Sequence, residues 1–192
     1  EGSFIKFIEQ TKNKVLLSAD CPNIKKLDLE KYKEKLIYYS IEKEAQIYAK
    51  NIRVVDGLTK YDVVIDGENL GEFSLKVPGL HNVKNSLPVI YLSKLYGIDI
   101  DYIKESLKTF TGAKRRYQVI YDEEIKVIDD YAHHPTEIKA TIKAARSNEE
   151  GELTVVFEPH RYTRTHFFMN DFAKALSLAD KIILLPIYAA SE

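Results

Sequence analysis

Residues 125–187 alternate short apolar runs with amphipathic ones, and no other stretch of this chain constrains the fold so tightly. Ile125-Lys126-Val127-Ile128 reads as a strand. Pro135 suits the first turn of a helix running to about Arg146, with Ile138, Ile142 and Ala145 on one face. Leu153 to Phe157 is a second strand. Phe168, Phe172, Ala175 and Leu176 mark a second helix, and Lys181 to Ile187 a third strand. Strand, helix, strand, helix, strand at this spacing predicts right-handed βαβ units on a parallel sheet, hence an α/β fold. Ligands of such sheets bind outside the carboxyl ends of the strands. Three polar clusters follow the three strands directly: Asp129 to Pro135, Glu158 to Thr165, and Tyr188 to Glu192. That coincidence predicts a binding site in the second half.

The first half reads as mixed and partly antiparallel. Phe4, Phe7 and Ile8 have helical spacing, and Val15-Leu16-Leu17 is a short buried strand. Lys35 to Ser40 and Ala45 to Val55 are rich in Ile, Tyr and Val, which favour strands. Tyr61 to Ile65 and Glu72 to Val77 flank Asp66-Gly67-Glu68-Asn69, a hairpin signal. His81 to Tyr96 reads as a helix with Val83, Leu87, Ile90, Lys94 and Leu95 on one side. Pro88 should kink it or mark its true start, and Gly97 should stop it. Asp99 is placed to cap a further helix through Phe110, with Ile103 and Leu107 four apart. A boundary at Thr111-Gly112 divides the chain into residues 1–111 and 112–192.

Composition narrows the function classes. The formal net charge of −1 gives no basic field for nucleic acid. The single cysteine, Cys21, allows no internal disulfide and fits a reducing, cytoplasmic setting. No uncharged apolar stretch is long enough to span a bilayer, and residues 1–6 lack the form of a signal peptide, so no membrane partner is expected. The chain has no initiator Met and ends mid-pattern at Tyr188-Ala189-Ala190-Ser191-Glu192, so it is expected to be a piece of a longer protein. It contains neither a Gly-x-x-x-x-Gly-Lys-Ser/Thr phosphate loop nor a Gly-x-Ser-x-Gly elbow.

The second and first polar clusters carry the chemistry. Pro159-His160-Arg161-Tyr162-Thr163-Arg164 places two arginines three apart, and the planar guanidinium fork matches carboxylate or phosphate oxygens. The bland alternative is a solvated helix face. His133 and His134 suggest metal ligands, but a zinc site needs three or four convergent groups, and no Cys or third His stands at ligand spacing. Asp129 or Asp130 has surface pairing with Arg115 or Arg116 as its alternative, and Tyr131 has plain packing. Tyr32, Tyr38, Tyr39 and Tyr48 read as strand packing rather than a base-stacking platform. Gly79-Leu80-His81-Asn82-Val83-Lys84-Asn85 opens a helix after a strand, where Asn can read the edge of a base. The alternative for Asn82 is a helix cap. Lys114-Arg115-Arg116-Tyr117 lies at the boundary between halves, as a phosphate contact or a solvated linker.

Four motifs, taken together in order, resemble the Mur ligases: Gly79 to Asn85, Phe110 to Tyr117, Asp129-Asp130-Tyr131-Ala132-His133-His134-Pro135-Thr136-Glu137-Ile138, and Pro159 to Thr165. Within that family the match is to the branch acting on UDP-N-acetylmuramate and L-alanine; the branch that recycles muropeptides is less similar around His160 to Arg164. Glu158 stands where the family often has Gln, and Ser191 where it often has Gly. The resemblance implies the rear of a central ATP-binding α/β domain (1–111) followed by the front of a Rossmann-like amino-acid-binding domain (112–192). It implies amide formation driven by ATP and Mg²⁺ in peptidoglycan precursor synthesis, through an acyl phosphate of UDP-N-acetylmuramate that L-alanine attacks. The phosphate loop and the main Mg²⁺ ligands are expected outside these residues, so the chain alone should bind weakly and catalyse little. By the same resemblance, Asn82 and Asn85 contact adenine, with His81 packing nearby at the ATP site. Arg115 or Arg116, with Asp130, serves the ATP phosphates and ribose. Arg161 and Arg164 hold the L-alanine carboxylate, while Tyr131, His133 and His160 line the amino-acid pocket. Competing expectations are a non-catalytic nucleotide- or anion-binding module and a metal-dependent phosphohydrolase built on Asp129, Asp130, His133 and His134.

Overall fold

A computed structural model describes residues 2–148 and 150–192. The chain forms two compact units. One comprises the residues up to Lys76 together with His81–Phe110, the other Val77–Leu80 together with Thr111–Glu192.

In the first unit, helix α1 (Gly2–Gln10) precedes a five-stranded sheet in the order β1 (Val15–Ser18), β2 (Leu36–Ser40), β3 (Ile47–Val55), β4 (Leu58–Ile65), β5 (Glu68–Leu75). The first three strands are mutually parallel and the last three antiparallel. Two hairpins make the antiparallel half. At Asp66-Gly67 both residues have positive φ (+48° and +84°), so the loop is two residues long and β5 begins at Glu68, earlier than the sequence suggested. Asp56-Gly57 repeats this geometry (+52° and +73°) between β3 and β4, a second Asp-Gly signal that the sequence reading passed over.

Helix α2 (Leu80–Leu95) lies on this sheet through Val83, Leu87 and Ile90, all fully buried beside Ile47, Tyr61, Val63 and Phe73. It runs on through Pro88. Lys94 and Leu95 do not join the buried stripe: Lys94 pairs with Glu68 at 2.7 Å, and Leu95 is 59% exposed. The helix ends in a Schellman turn, with Gly97 at φ +75° and the Ile98 N–H donating to Ser93 O. Asp99 caps α3 (Ile100–Thr109) by accepting from the Asp101 N–H at 2.9 Å. Burial pushes the Tyr61 phenol up to about 12, so it stays protonated and bonds Ser86 Oγ at 2.7 Å. No helix among the described residues is long and apolar enough to cross a membrane.

The second unit carries β6 (Gln118–Asp122), β7 (Lys126–Asp129), α4 (Pro135–Asn148), β8 (Thr154–Phe157), α5 (Tyr162–Phe167), α6 (Met169–Leu176) and β9 (Lys181–Leu184). β8 and β9 pair in parallel, joined through the helices as expected. β7 instead pairs antiparallel with β6, a strand absent from the sequence reading. The short turn after Asp122 brings the two together locally, at less loop entropy than a crossover pairing. Ile138 and Ile142 of α4 pack with Phe157, Phe172, Ala175 and Leu176.

Candidate functional site

The ends of β8 and β9 are tied together by hydrogen bonds, and the turn after β7 meets them through a ring contact. Beyond β8 and β9 the ladder continues: Leu185 N–H donates to Phe157 O (3.0 Å), Tyr188 N–H to Pro159 O (2.8 Å) and Arg161 N–H to Tyr188 O (2.8 Å). Glu192 then caps the start of α5, its carboxylate accepting from the Thr163 N–H at 3.0 Å and from the Thr163 hydroxyl. Those two hydrogen bonds hold the Glu192 carboxyl below the usual range. After β7, the Tyr131 N–H donates to Arg115 O at 2.7 Å, and the Arg115 guanidinium sits over the Tyr131 ring, 5.0 Å from its centroid.

These ties assemble a row of rings. Tyr131 and His133 are 5.0 Å apart between centroids, His133 and His160 6.4 Å, and His160 and Tyr188 5.4 Å. Tyr131, His133 and His160, the predicted pocket residues, are therefore brought together, and Tyr188 joins them. His134 is not part of the row. Its ring packs edge-on against Phe168 at 4.9 Å, and its Nδ1 accepts from the Thr136 N–H at 3.3 Å. His133 Nδ1 lies 2.8 Å from Tyr131 O. A carbonyl only accepts, so Nδ1 donates here, and whenever the ring is neutral its lone pair is at Nε2.

Two polar nitrogens on this surface lack partners. His160 Nδ1 and Arg164 Nη1 are shielded from solvent and make no hydrogen bond among the described residues. An unmatched guanidinium N–H is costly to bury, and a ligand anion would satisfy it. Arg161 is exposed, near enough to Glu192 to lower that carboxyl further, and adopts φ +74°. A side-chain-bearing residue there is strained by roughly 1–3 kcal/mol. Ser191 has φ +72°, which explains physically why Gly suits that position.

Other predicted residues serve the loop itself. Asp130 accepts from the N–H groups of Ala132 (2.7 Å) and Tyr117 (2.9 Å) and from the Thr141 hydroxyl (3.1 Å). A carboxylate offers about four lone-pair sites, so one more donor can be received. Arg115 pairs with Asp129 at 3.2 Å, the surface alternative considered for that aspartate. Arg116 pairs with Glu137 at 3.4 Å. Glu137 was missed as an organising residue. One of its oxygens accepts from the N–H groups of both His133 and His134 at 3.1 Å, as the third residue of α4 reaching back to the helix start. Burial alone would raise its carboxyl; the His133 N–H and charge and then Arg116 overcome this and hold it below the usual range. A Pro at the first helical position with Glu two residues on was the available signal. Among the described residues no three His, Cys, Asp or Glu are grouped to hold a metal ion, which leaves the phosphohydrolase alternative without a ligand set.

In the first unit, His81, Asn82 and Asn85 stand on the first turns of α2, after Gly79 at φ +101°. Asn82 is the third residue of the helix, within its first turn.

Residues 2–93 match the family model described as Mur ligase middle domain, and residues 115–191 match that described as Mur ligase, glutamate ligase domain. The chain belongs to the Mur ligase family. Among its relatives, the UDP-N-acetylmuramate–L-alanine ligase of Fusobacterium nucleatum is 47% identical over 99% of this Mur ligase chain. The chain spans 43% of that protein's length. A crystal structure of the UDP-N-acetylmuramate–alanine ligase of Thermotoga maritima aligns with a TM-score of 0.70 at 28% identity, over 95% of this chain and 47% of the other. The MurF ligase of the same organism, solved in complex with ADP, shares the fold at 13% identity, with a TM-score of 0.71 over 94% of this chain and 42% of its own.

Proposed function

We propose that this chain is the rear nucleotide-binding and front amino-acid-binding portion of an ATP-dependent ligase joining L-alanine to UDP-N-acetylmuramate in cytoplasmic peptidoglycan precursor synthesis. In this proposal residues 1–111 belong to the central domain and 112–192 to the C-terminal one. The observation that carries it is the pairing of a ring-lined surface, Tyr131, His133 and His160, with the unpartnered, solvent-shielded guanidinium nitrogen of Arg164. A small amino acid needs this combination: cationic donors for its carboxylate, and an acceptor for its amine. The names of the relatives support L-alanine and UDP-N-acetylmuramate as the substrates.

Arg164, with Arg161, would bind the carboxylate. The Nε2 lone pair of His133 would accept a hydrogen bond from the amine, aiming the nitrogen lone pair at the carbonyl carbon of the acyl phosphate and receiving a proton as the C–N bond forms, the acyl C–O bond breaks and inorganic phosphate leaves. His160 and Tyr131 would hold the methyl group and exclude water. Asn82 and Asn85 would contact adenine, each offering an amide donor and acceptor to the base edge, with His81 packing nearby. Arg115 or Arg116 would contact phosphates, and the open acceptor site of Asp130 would receive a ribose hydroxyl. ATP would supply the phosphoryl group that activates the substrate carboxylate, and Mg²⁺ would offset the charge of its phosphates.

The full-length enzyme containing this segment tests the proposal. ADP release should require UDP-N-acetylmuramate and L-alanine together, and Asn82→Ala should raise the ATP KM. Turnover with a different amino acid and none with L-alanine would sink the substrate assignment.

A further inference from the structure

The first unit holds a buried charge that the proposed mechanism does not use. Asp20 follows β1, and its side chain is 1% exposed. Its carboxylate accepts from the Ser40 hydroxyl at the end of β2 and from the Ile41 N–H at 3.1 Å, and it pairs with Lys84 of α2 at 3.0 Å. Burial would raise this carboxyl, yet Ser40, Lys84 and Ile41 together hold it below the usual range, so it stays charged. Such a pair is weak evidence for stability, because desolvation offsets much of the attraction. What it fixes is geometry.

Around α2, at about 100° per residue, Val83, Leu87 and Ile90 form a buried stripe roughly 60° wide. Ser86 borders that stripe on one side and Lys84 on the other. Each border has its own polar anchor: Ser86 Oγ on Tyr61 OH at 2.7 Å, and Lys84 on Asp20. His81, Asn82 and Asn85 occupy the opposite arc. An apolar stripe alone tolerates small rotations of a helix, since hydrophobic contact is non-directional. Two directional anchors flanking it do not.

We infer that the Asp20–Lys84 pair, with Ser40, is a rotational lock on α2 that aims Asn82 and Asn85 at the nucleotide base. Asp20 and Lys84 are positioning residues; neither needs to touch ligand. This rests on the proposed adenine role of Asn82 and Asn85.

The test uses the full-length enzyme and its steady-state kinetics with ATP and L-alanine. Lys84→Met keeps the apolar stem and removes the charge. It should raise the ATP KM about tenfold, the lower end of what losing a supporting partner costs a binding site. kcat and the L-alanine KM should stay within about twofold of wild type, and Lys84→Arg, which restores the pair, should recover most of the ATP KM. Asp20→Asn provides a second route should Lys84→Met fold poorly. If Asn82→Ala raises the ATP KM while Lys84→Met and Asp20→Asn do not, the lock is wrong and the adenine role stands. If Asn82→Ala itself leaves the ATP KM unchanged, the adenine role is what fails. A parallel decline of kcat, both KM values and melting temperature, without rescue by Lys84→Arg, would mark the pair as purely structural and overturn the inference.

Discussion

Glu137 offers the sharpest perturbation of the second unit, because one carboxylate holds the start of α4, the two histidines before it and Arg116. Glu137→Gln keeps a side-chain oxygen for the His133 and His134 N–H groups and removes the charge. Hydrogen bonds to charged groups contribute about 1.5–3 kcal/mol each when buried, roughly twice their neutral counterparts. The Glu137 side chain is 35% exposed, so solvent screening reduces the difference. About 1 kcal/mol is expected for Gln and about 2 kcal/mol for Ala, including the lost cap. For a unit of this size 1 kcal/mol shifts the melting midpoint by roughly 4–8 °C. The effect has a definite pH sense. The carboxyl is held below its ordinary value in the folded chain, so its stabilisation is fully present above the unfolded value and is lost as pH falls through the lowered one. Thermal unfolding followed by far-ultraviolet circular dichroism should show wild type above Glu137→Gln at pH 7, with the gap closing toward pH 3. Hydrogen exchange of the peptide spanning residues 130–140 should speed up in the variant at pH 7. A gap that is constant across that pH range would refute the electrostatic reasoning and leave only a loss of shape.

Arg161→Gly should raise the melting midpoint, by relieving a φ of +74°, while raising the L-alanine KM of the full-length enzyme; a lower midpoint would show that no strain is stored there. Ser191→Gly should stabilise the second unit by up to about 1 kcal/mol in a chemical denaturation curve, and a neutral or negative change would contradict the strain assigned to φ +72°. Leu87→Ala removes a fully buried side chain from the α2–sheet core and should cost about 2–5 kcal/mol, read as a shifted urea midpoint at constant slope.

Local chemistry was the legible part of this chain. Val83, Leu87 and Ile90 announced α2 by their spacing, Gly97 its end, and Asp99 the next cap, because each acts within a few residues of itself. The candidate site was legible as polar residues at strand ends: the βαβ rule places the turns after β8 and β9 without knowledge of contacts, but not the turn after β7. Pairing partners were harder. Val119, Ile120 and Val127 lie in an exposed two-stranded ribbon, so their apolar character carried no face pattern to mark β6, or to take β7 out of the expected parallel sheet. The roles of Glu137 and Asp20 were hidden for another reason. A charged residue in a sequence reads as solvated by default, and only the fold brings Asp20 to Ser40 and Lys84, or Glu137 to Arg116. His133 and His134 were adjacent and indistinguishable until the turn sent one toward His160 and the other toward Phe168.

In the proposed enzyme the strand-end turns of the second unit form the L-alanine pocket, with Arg164 as the carboxylate donor. The L-alanine KM of the full-length enzyme carrying Arg164→Ala tests it most directly. Removing a charge-assisted donor costs about 1.5–3 kcal/mol, so the KM should rise roughly 10- to 150-fold, with the ATP KM within twofold. An L-alanine KM and kcat equal to wild type would remove Arg164 from the pocket and contradict the account.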